Sequence, residues 1–155
     1  MIERELKFKT DINISNKLGT HDKINYTKDE IYGNGIDKIR KRITLDKVEY
    51  QKTIPMRGDV KTIIEKDLNG IPSDYKLENS YDKVRITYFK DCIITIDIYF
   101  FGVFLEIEGD NIEKVAEELG FDLKDNIVEN IDTLYCKWSK ENRREELMHW
   151  GFGKL

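Results

Sequence analysis

At 155 residues, with 39% hydrophobic side chains, the chain is long enough to bury one core without disulfides or a structural metal. Its net charge of −4, from 26 basic and 30 acidic residues with no long single-sign block, argues against a nucleic-acid arm or a polybasic membrane patch. The start Met1-Ile2-Glu3-Arg4-Glu5 lacks a basic-then-apolar leader pattern, and no apolar run approaches a membrane span, so the expectation is a cytoplasmic protein with neither membrane nor nucleic acid as partner.

In chain order, most of the sequence alternates with period two. Ile2 to Lys9 puts Glu3, Glu5 and Lys7 on one face, with Ile2, Leu6 and Phe8 on the other. Weaker runs at about Ile24–Tyr32, Val48–Ile54 and Val60–Leu68 add strands, and Ile39 to Thr44 sets Arg40 and Arg42 against Ile39 and Ile43. Lys83 to Phe89 sets Lys83 and Arg85 against Val84, Ile86 and Tyr88. Ile93 to Tyr99 sets Thr95 and Asp97 against isoleucines, and Val103 to Glu108 sets Phe104, Glu106 and Glu108 against Val103, Leu105 and Ile107. Gly33-Asn34-Gly35, Pro55 to Asp59, Asn69-Gly70-Ile71-Pro72 and Gly102 supply the turns, and Pro72 to Ser80 reads as a loop or one helical turn. Helical spacing begins only at Asn111, capped by Asp110 and stopped by Gly120; a second helix is expected from Lys124 to Ser139. The run Cys136 to Trp150 is amphipathic enough to cover a barrel mouth, with Tyr135, Trp138 and Trp150 packing as core or lining a substrate's entrance. With no internal repeat or linker, residues 1–155 read as a single domain, mainly β (α+β), an antiparallel meander of roughly eight strands with C-terminal helices.

The chemistry lies in which faces carry charge. Charged residues make up 36% of the chain, against the usual quarter or so. Five strands carry pairs two residues apart, each purely acidic or purely basic: Glu3/Glu5, Arg40/Arg42, Glu65/Asp67, Lys83/Arg85 and Glu106/Glu108. A sheet closed into a barrel with these faces inward would collect both signs around one lumen. Burying them without a ligand would be costly, whereas a polyanion with divalent cations balances both signs. Arginine forks and lysines neutralise phosphate oxygens, and clustered carboxylates suit Mg²⁺ or Mn²⁺. Cys92 and Cys136 fit no metal or redox spacing and read as reduced thiols, and His21 and His149 read as surface residues.

Glu3-Arg4-Glu5-Leu6-Lys7 resembles the ExExK signature of the CYTH, or triphosphate tunnel metalloenzyme, superfamily. Arg40-Lys41-Arg42 resembles its RxR block, Lys83-Val84-Arg85 its KxR block, and Gly102 to Glu108 its GxFxExE closing strand. Glu65 and Asp67 resemble the central ExE, Asp97 the aspartate that follows KxR, and Lys52 the lysine ending a strand. Where the family often has an arginine before the central ExE, this chain has Ile63, with Lys61 on the same face as a partial substitute.

The resemblance implies an eight-stranded antiparallel β-barrel forming a tunnel, and dimerisation is frequent in the family. With the charge pattern it implies that Lys7, Arg40, Arg42, Lys52, Lys83 and Arg85 grip a triphosphate. Glu3, Glu5, Glu106 and Glu108, assisted by Glu65, Asp67 and Asp97, would hold Mg²⁺ or Mn²⁺. Glu5, Lys7, Arg42 and Lys83 are the expected catalytic set. The first expectation for function is a metal-dependent hydrolase of inorganic triphosphate or a small organic triphosphate such as thiamine triphosphate. The alternatives are a class IV adenylate cyclase acting on ATP and a non-catalytic polyphosphate-binding module.

Overall fold

A computed structural model describes residues 2–56 and 61–143, with the backbone alone for residues 2–3, 53–56 and 61–68. The alternating runs become strands β1 (Ile2–Thr10), β2 (Lys23–Gly33), β3 (Lys38–Ile43), β4 (Val48–Met56), β5 (Lys61–Leu68), β6 (Lys76–Phe89), β7 (Ile93–Tyr99) and β8 (Gly102–Glu108). All pair antiparallel in the order β1-β5-β4-β3-β2-β6-β7-β8, and β8 pairs back onto β1. The sheet therefore closes on itself. The β1–β5 seam is short, joining Ile2–Glu5 to Lys61–Ile64. Beyond it the edge of β1 is covered from elsewhere: the Lys7 N–H donates to Asn126 Oδ1 at 3.0 Å, and the Lys7 carbonyl accepts from the Ile127 N–H at 2.7 Å.

Both faces of several strands are buried, which no half-exposed sheet would show. Glu5, Leu6, Lys7 and Phe8 are consecutive and all buried, as are Ile94, Thr95, Ile96 and Asp97. The apolar members point outward, where Leu6, Phe8, Tyr88, Ile94, Ile96, Leu105 and Ile107 form a core. Two helices cover it: α1 (Ser15–Leu18) supplies Leu18, and α2 (Ile112–Glu118) supplies Ile112 and Ala116. Phe121 stacks on Phe8 at 4.6 Å. At roughly 1.5–3 kcal/mol for each fully buried aliphatic or aromatic side chain, this outer core is a main source of stability. The charged members are left facing the lumen.

A second core closes one end. Ile31, Tyr81, Tyr99, Phe101 and Phe104 pack against Ile131, Leu134, Tyr135 and Trp138 of α3 (Ile131–Glu141). The buried Asp132 anchors α3, accepting from the Tyr81 hydroxyl, from Asn79 Nδ2 at 3.1 Å and from Lys38 Nζ at 3.0 Å. Tyr135 and Trp138 are thus packing residues; Trp150 and His149 lie outside the described residues, and His21 is exposed.

Several boundaries differ from the sequence-based expectation. The stretch read as a loop to Ser80 is strand from Lys76, because the long β2 pairs with it: Tyr32 faces Leu77 and Gly33 faces Lys76. A 3-10 turn at Ile12–Ile14 and α1 occupy a stretch without helical periodicity, held by burial of Ile14 and Leu18. The second C-terminal helix starts at Ile131, not Lys124, because Asn130 caps it by accepting the Thr133 N–H. Asn111 rather than Asp110 takes the cap position of α2, without a side-chain cap bond. Gly120 ends that helix as expected, with a φ of 89° that a Cβ would disfavour. Both cysteines are free, Cys92 buried and Cys136 exposed. No helix among the described residues is long and apolar enough to cross a membrane.

Candidate functional site: a buried ion network

Antiparallel register aligns the inward charges into one chain of contacts around the lumen. Arg42 on β3 forks onto Asp29 on β2, with Nε to Oδ1 and Nη2 to Oδ2 both at 2.9 Å. Lys83 on β6 lies 3.4 Å from Asp29 Oδ2 and 3.2 Å from Asp97 Oδ2 on β7. Arg85 forks onto Asp97 at 2.6 and 2.7 Å and reaches Glu106 on β8 at 3.9 Å. Glu106 then meets Lys7 on β1 at 3.2 Å. Cations and carboxylates alternate, and the chain begins and ends on a cation, so its net charge is positive.

Burial and proximity set the protonation states. Burial penalises the Asp29 carboxylate, but Arg42, Lys83 and Arg40 outweigh it and hold its pKa well below the usual range. Asp97 is likewise buried and held far down by Lys83 and Arg85. Glu106, opposed by its own burial, is lowered to about 2, chiefly by Lys7. Burial lowers Lys7 too, yet Glu106 and Glu5 raise it on balance. Lys83 behaves oppositely. Burial is the main cause, and Arg85 and Arg42 add to it, so the two carboxylates leave its pKa depressed at about 8. The network is therefore charged at neutral pH, with Lys83 the cation nearest to losing its proton.

Both guanidinium forks use Nε and Nη2, which among the described residues leaves Nη1 of Arg42 and Arg85 for another acceptor. Arg40 donates Nη2 to Gln51 Oε1, its cross-strand neighbour. The Lys83 ammonium also donates to the Tyr99 hydroxyl at 3.4 Å, which links the network to the aromatic core under α3.

The register corrects two expectations. Lys52 pairs with Ile39 and Lys66, in the opposite phase from Gln51, and binds Asp37 at 2.9 Å outside the lumen. It is not a lumen cation, because a one-residue change of phase moves a side chain to the other face. Asp97, expected among the metal carboxylates, has both oxygens engaged by Arg85 and Lys83.

Glu5 and Glu108 are directly opposed across β1 and β8. The side chains of Glu3, Glu65 and Asp67 lie outside the described residues. Their backbone positions place Glu3 opposite Ile63, Glu65 opposite Thr53 and Asp67 opposite Gln51, while Lys61 stands opposite Glu5. Among the described residues, no three Asp, Glu, His or Cys side chains converge into a ready cage. Mg²⁺ does not require one, since it keeps several waters and is held by one or two carboxylates together with substrate phosphates. The opposed pair Glu5 and Glu108 fits that demand. Nearby on the lumen face, Thr95 Oγ1 is buried without a hydrogen-bond partner among the described residues.

No family model matches the sequence, and no curated protein matches it at a significant level. Solved structures do. The PH1012 protein from Pyrococcus horikoshii OT3 superposes with a TM-score of 0.68 at 18% identity, covering 83% of this chain and 96% of that one. The PH1819 protein from the same organism gives 0.65 at 19% identity, covering 87% and 98%. HpAC1 from Hippeastrum, provisionally named an adenylyl cyclase and described as revealing a dominant triphosphatase activity, gives 0.61 at 14% identity, covering 88% and 95%. The chain has the CYTH fold.

Within that fold, Lys7, Arg42, Lys83, Arg85 and Glu106 converge as the paired-charge pattern anticipates. Asp29 and Tyr99 were not anticipated. Asp29 has no like-charged partner two residues away, since Thr27 and Ile31 flank it on its face, so a search for same-sign pairs passes over it. The available signal was strand parity alone, which puts Asp29 on one face with Thr27 and Ile31, and the structure shows that face to be buried.

Proposed function

We propose that the chain is a divalent-metal-dependent phosphohydrolase acting on inorganic triphosphate or a small organic triphosphate held in the charged lumen. The observation that carries this reading is the buried network of Arg42, Lys83, Arg85 and Lys7 with Asp29, Asp97 and Glu106, cationic in sum and built from six strands. Burial of that many charges is poorly repaid by their mutual attraction alone, and a polyanion is the ligand that uses the surplus. The triphosphatase activity described for HpAC1, which shares the fold, supports it.

In this reading the free Nη1 groups of Arg42 and Arg85, with Arg40 and Lys7, take phosphate oxygens. Lys83 supplies charge from beneath, held by Asp29 and Asp97. Glu5 and Glu108, with Glu3, would hold Mg²⁺ or Mn²⁺; Glu65 and Asp67 stand on the neighbouring β5 as further candidates. The metal would offset charge on the phosphoryl oxygens and polarise the bond to be broken. Phosphoryl transfer asks little more of the protein than positioning and charge compensation, which suits a site without a Ser/His or Cys/His pair.

A second reading, the adenylate cyclase, is favoured by the provisional cyclase names of HpAC1 and of a Bacillus halodurans protein with a TM-score of 0.61. Incubation with inorganic triphosphate, thiamine triphosphate and ATP, each with Mg²⁺ or Mn²⁺, separates the readings by product. Orthophosphate released fastest from inorganic or thiamine triphosphate supports the hydrolase. Cyclic AMP and pyrophosphate as main products from ATP would replace it with the cyclase, and tight binding without turnover would leave a polyphosphate-binding module.

A further inference from the structure

We propose that Asp29 is a positioning residue for phosphate binding: it holds the Arg42 guanidinium edge-on and shares its second oxygen with Lys83, so that both cations meet the ligand already oriented. The inference rests on the triphosphate reading of the lumen and assigns a role to a carboxylate which that reading leaves unexplained.

Asp29 is 3% exposed, and among the described residues its hydrogen-bond and ion-pair partners, Arg42 and Lys83, are both cations. Its position follows from strand register. On β2 it stands opposite Arg42 of β3 on one side and Tyr81 of β6 on the other, one register step from Lys83 opposite Thr27. The parallel bonds to Arg42 fix the plane of the guanidinium, which a single contact would leave free to swing. They also determine which nitrogen is left: Nη1, on the side away from the carboxylate. Lys83 is buried beside Arg42 and Arg85, and its ammonium is held on the β2 side by the same Asp29 oxygen that takes Arg42 Nη2. The fork thus sets the direction of one cation and the place of the next.

The sign of the effect distinguishes this role from simple electrostatics. A carboxylate beside a polyanion site repels the ligand, so removal of its charge should by itself tighten binding. A positioning role demands the opposite. Arg42 would lose its orientation, and an arginine that must be ordered by the ligand binds it less well.

The test is calorimetric titration of inorganic tripolyphosphate into the full chain, in EDTA and again in calcium. It compares the unmodified chain, Asp29→Asn, Arg42→Gln and the double variant, with thermal melts of each. Asp29→Asn is expected to weaken binding by about tenfold or more, the scale of one charge-assisted contact. In the Arg42→Gln background the same change should add little, because the residue acts through Arg42. Equal or tighter binding by a folded Asp29→Asn variant overturns the role, as does an undiminished effect in the Arg42→Gln background. Should Asp29→Asn fail to melt cooperatively, Arg42→Lys carries the test, since it keeps the charge and loses the fork. A similar tenfold loss supports the role, and binding equal to the unmodified chain overturns it. If the unmodified chain binds no tripolyphosphate in either buffer, the triphosphate reading falls, and the role with it.

Discussion

Replacement of Asp97 by asparagine strikes the most enclosed link of the network. Asp97 is 1% exposed and accepts two bonds from Arg85 and one from Lys83. Asparagine keeps the shape but removes the charge, and one of its two terminal positions becomes a donor facing a donor. Two neighbouring buried cations then lose the counter-ion they share, leaving Lys83 only Asp29 at 3.4 Å and Arg85 only Glu106 at 3.9 Å. Breaking a buried pair in this way costs about 3–5 kcal/mol, far more than the net worth of the pair against an apolar replacement. For a chain of this size each kcal/mol lowers Tm by roughly 2–4 °C, so the melt should fall by about 6–20 °C. Urea denaturation should show a lower midpoint with an unchanged slope.

The pH dependence of that loss adds a second check. The folded-state pKa of Lys83 is about 8, below its unfolded value of 10.5, so between these limits the unfolded chain binds more protons and the Lys83 contribution to stability rises with pH. Asp97 raises the Lys83 pKa, so its loss lowers that value further, and the gap between variant and wild type should narrow as pH rises toward 8, where Lys83 is neutral in the variant but still charged in the wild type. A loss under about 1 kcal/mol at neutral pH would refute the reasoning, because it would mean that the pair behaves as a solvated surface contact.

Glu5→Gln and Glu108→Gln are each expected to abolish turnover of inorganic triphosphate while far-UV circular dichroism stays unchanged; full activity in EDTA would refute a metal held at these strands. Acid should unfold the chain through its network. The folded pKa values of Asp29, Asp97 and Glu106 are lowered, so their stabilisation is complete above the unfolded carboxylate range and is lost as pH falls through the folded values, about 2 for Glu106. A denaturation midpoint flat from neutral pH down to that region would contradict it. Asp132→Ala should cost about 2–4 kcal/mol, because it strands the buried Tyr81 hydroxyl and frees Asn79 and Lys38; faster amide exchange in α3 than in the barrel strands is the accompanying sign. Lys52→Ala should leave tripolyphosphate affinity unchanged, and a clear loss in titration would return Lys52 to the lumen.

The alternation of β1, β3, β6, β7 and β8 was complete in the sequence, because side-chain phase in a strand follows from pleating alone and needs no partner. That phase placed Glu5 with Lys7, Arg40 with Arg42 and Lys83 with Arg85, and so most of the lumen chemistry was legible before any pairing was known. Alternation alone did not tell which face is inner; that expectation rested on the same-sign charge pairs and the resemblance to a tunnel fold. The apolar face of an isolated strand reads as its core, and only the ring of pairings with α1 and α2 on its outside turns the charged face into the interior. Register likewise decided individual residues. Lys52 falls out of phase with Arg40 by a single position, and Asp29 acquires its role only because β2 lies between β3 and β6. The start of β6 at Lys76 and the brief α1 depend on what they pack against, so local propensity could not announce them. Local periodicity thus specifies which side chains share a face, whereas the partner strand, a non-local choice, specifies what that face will touch.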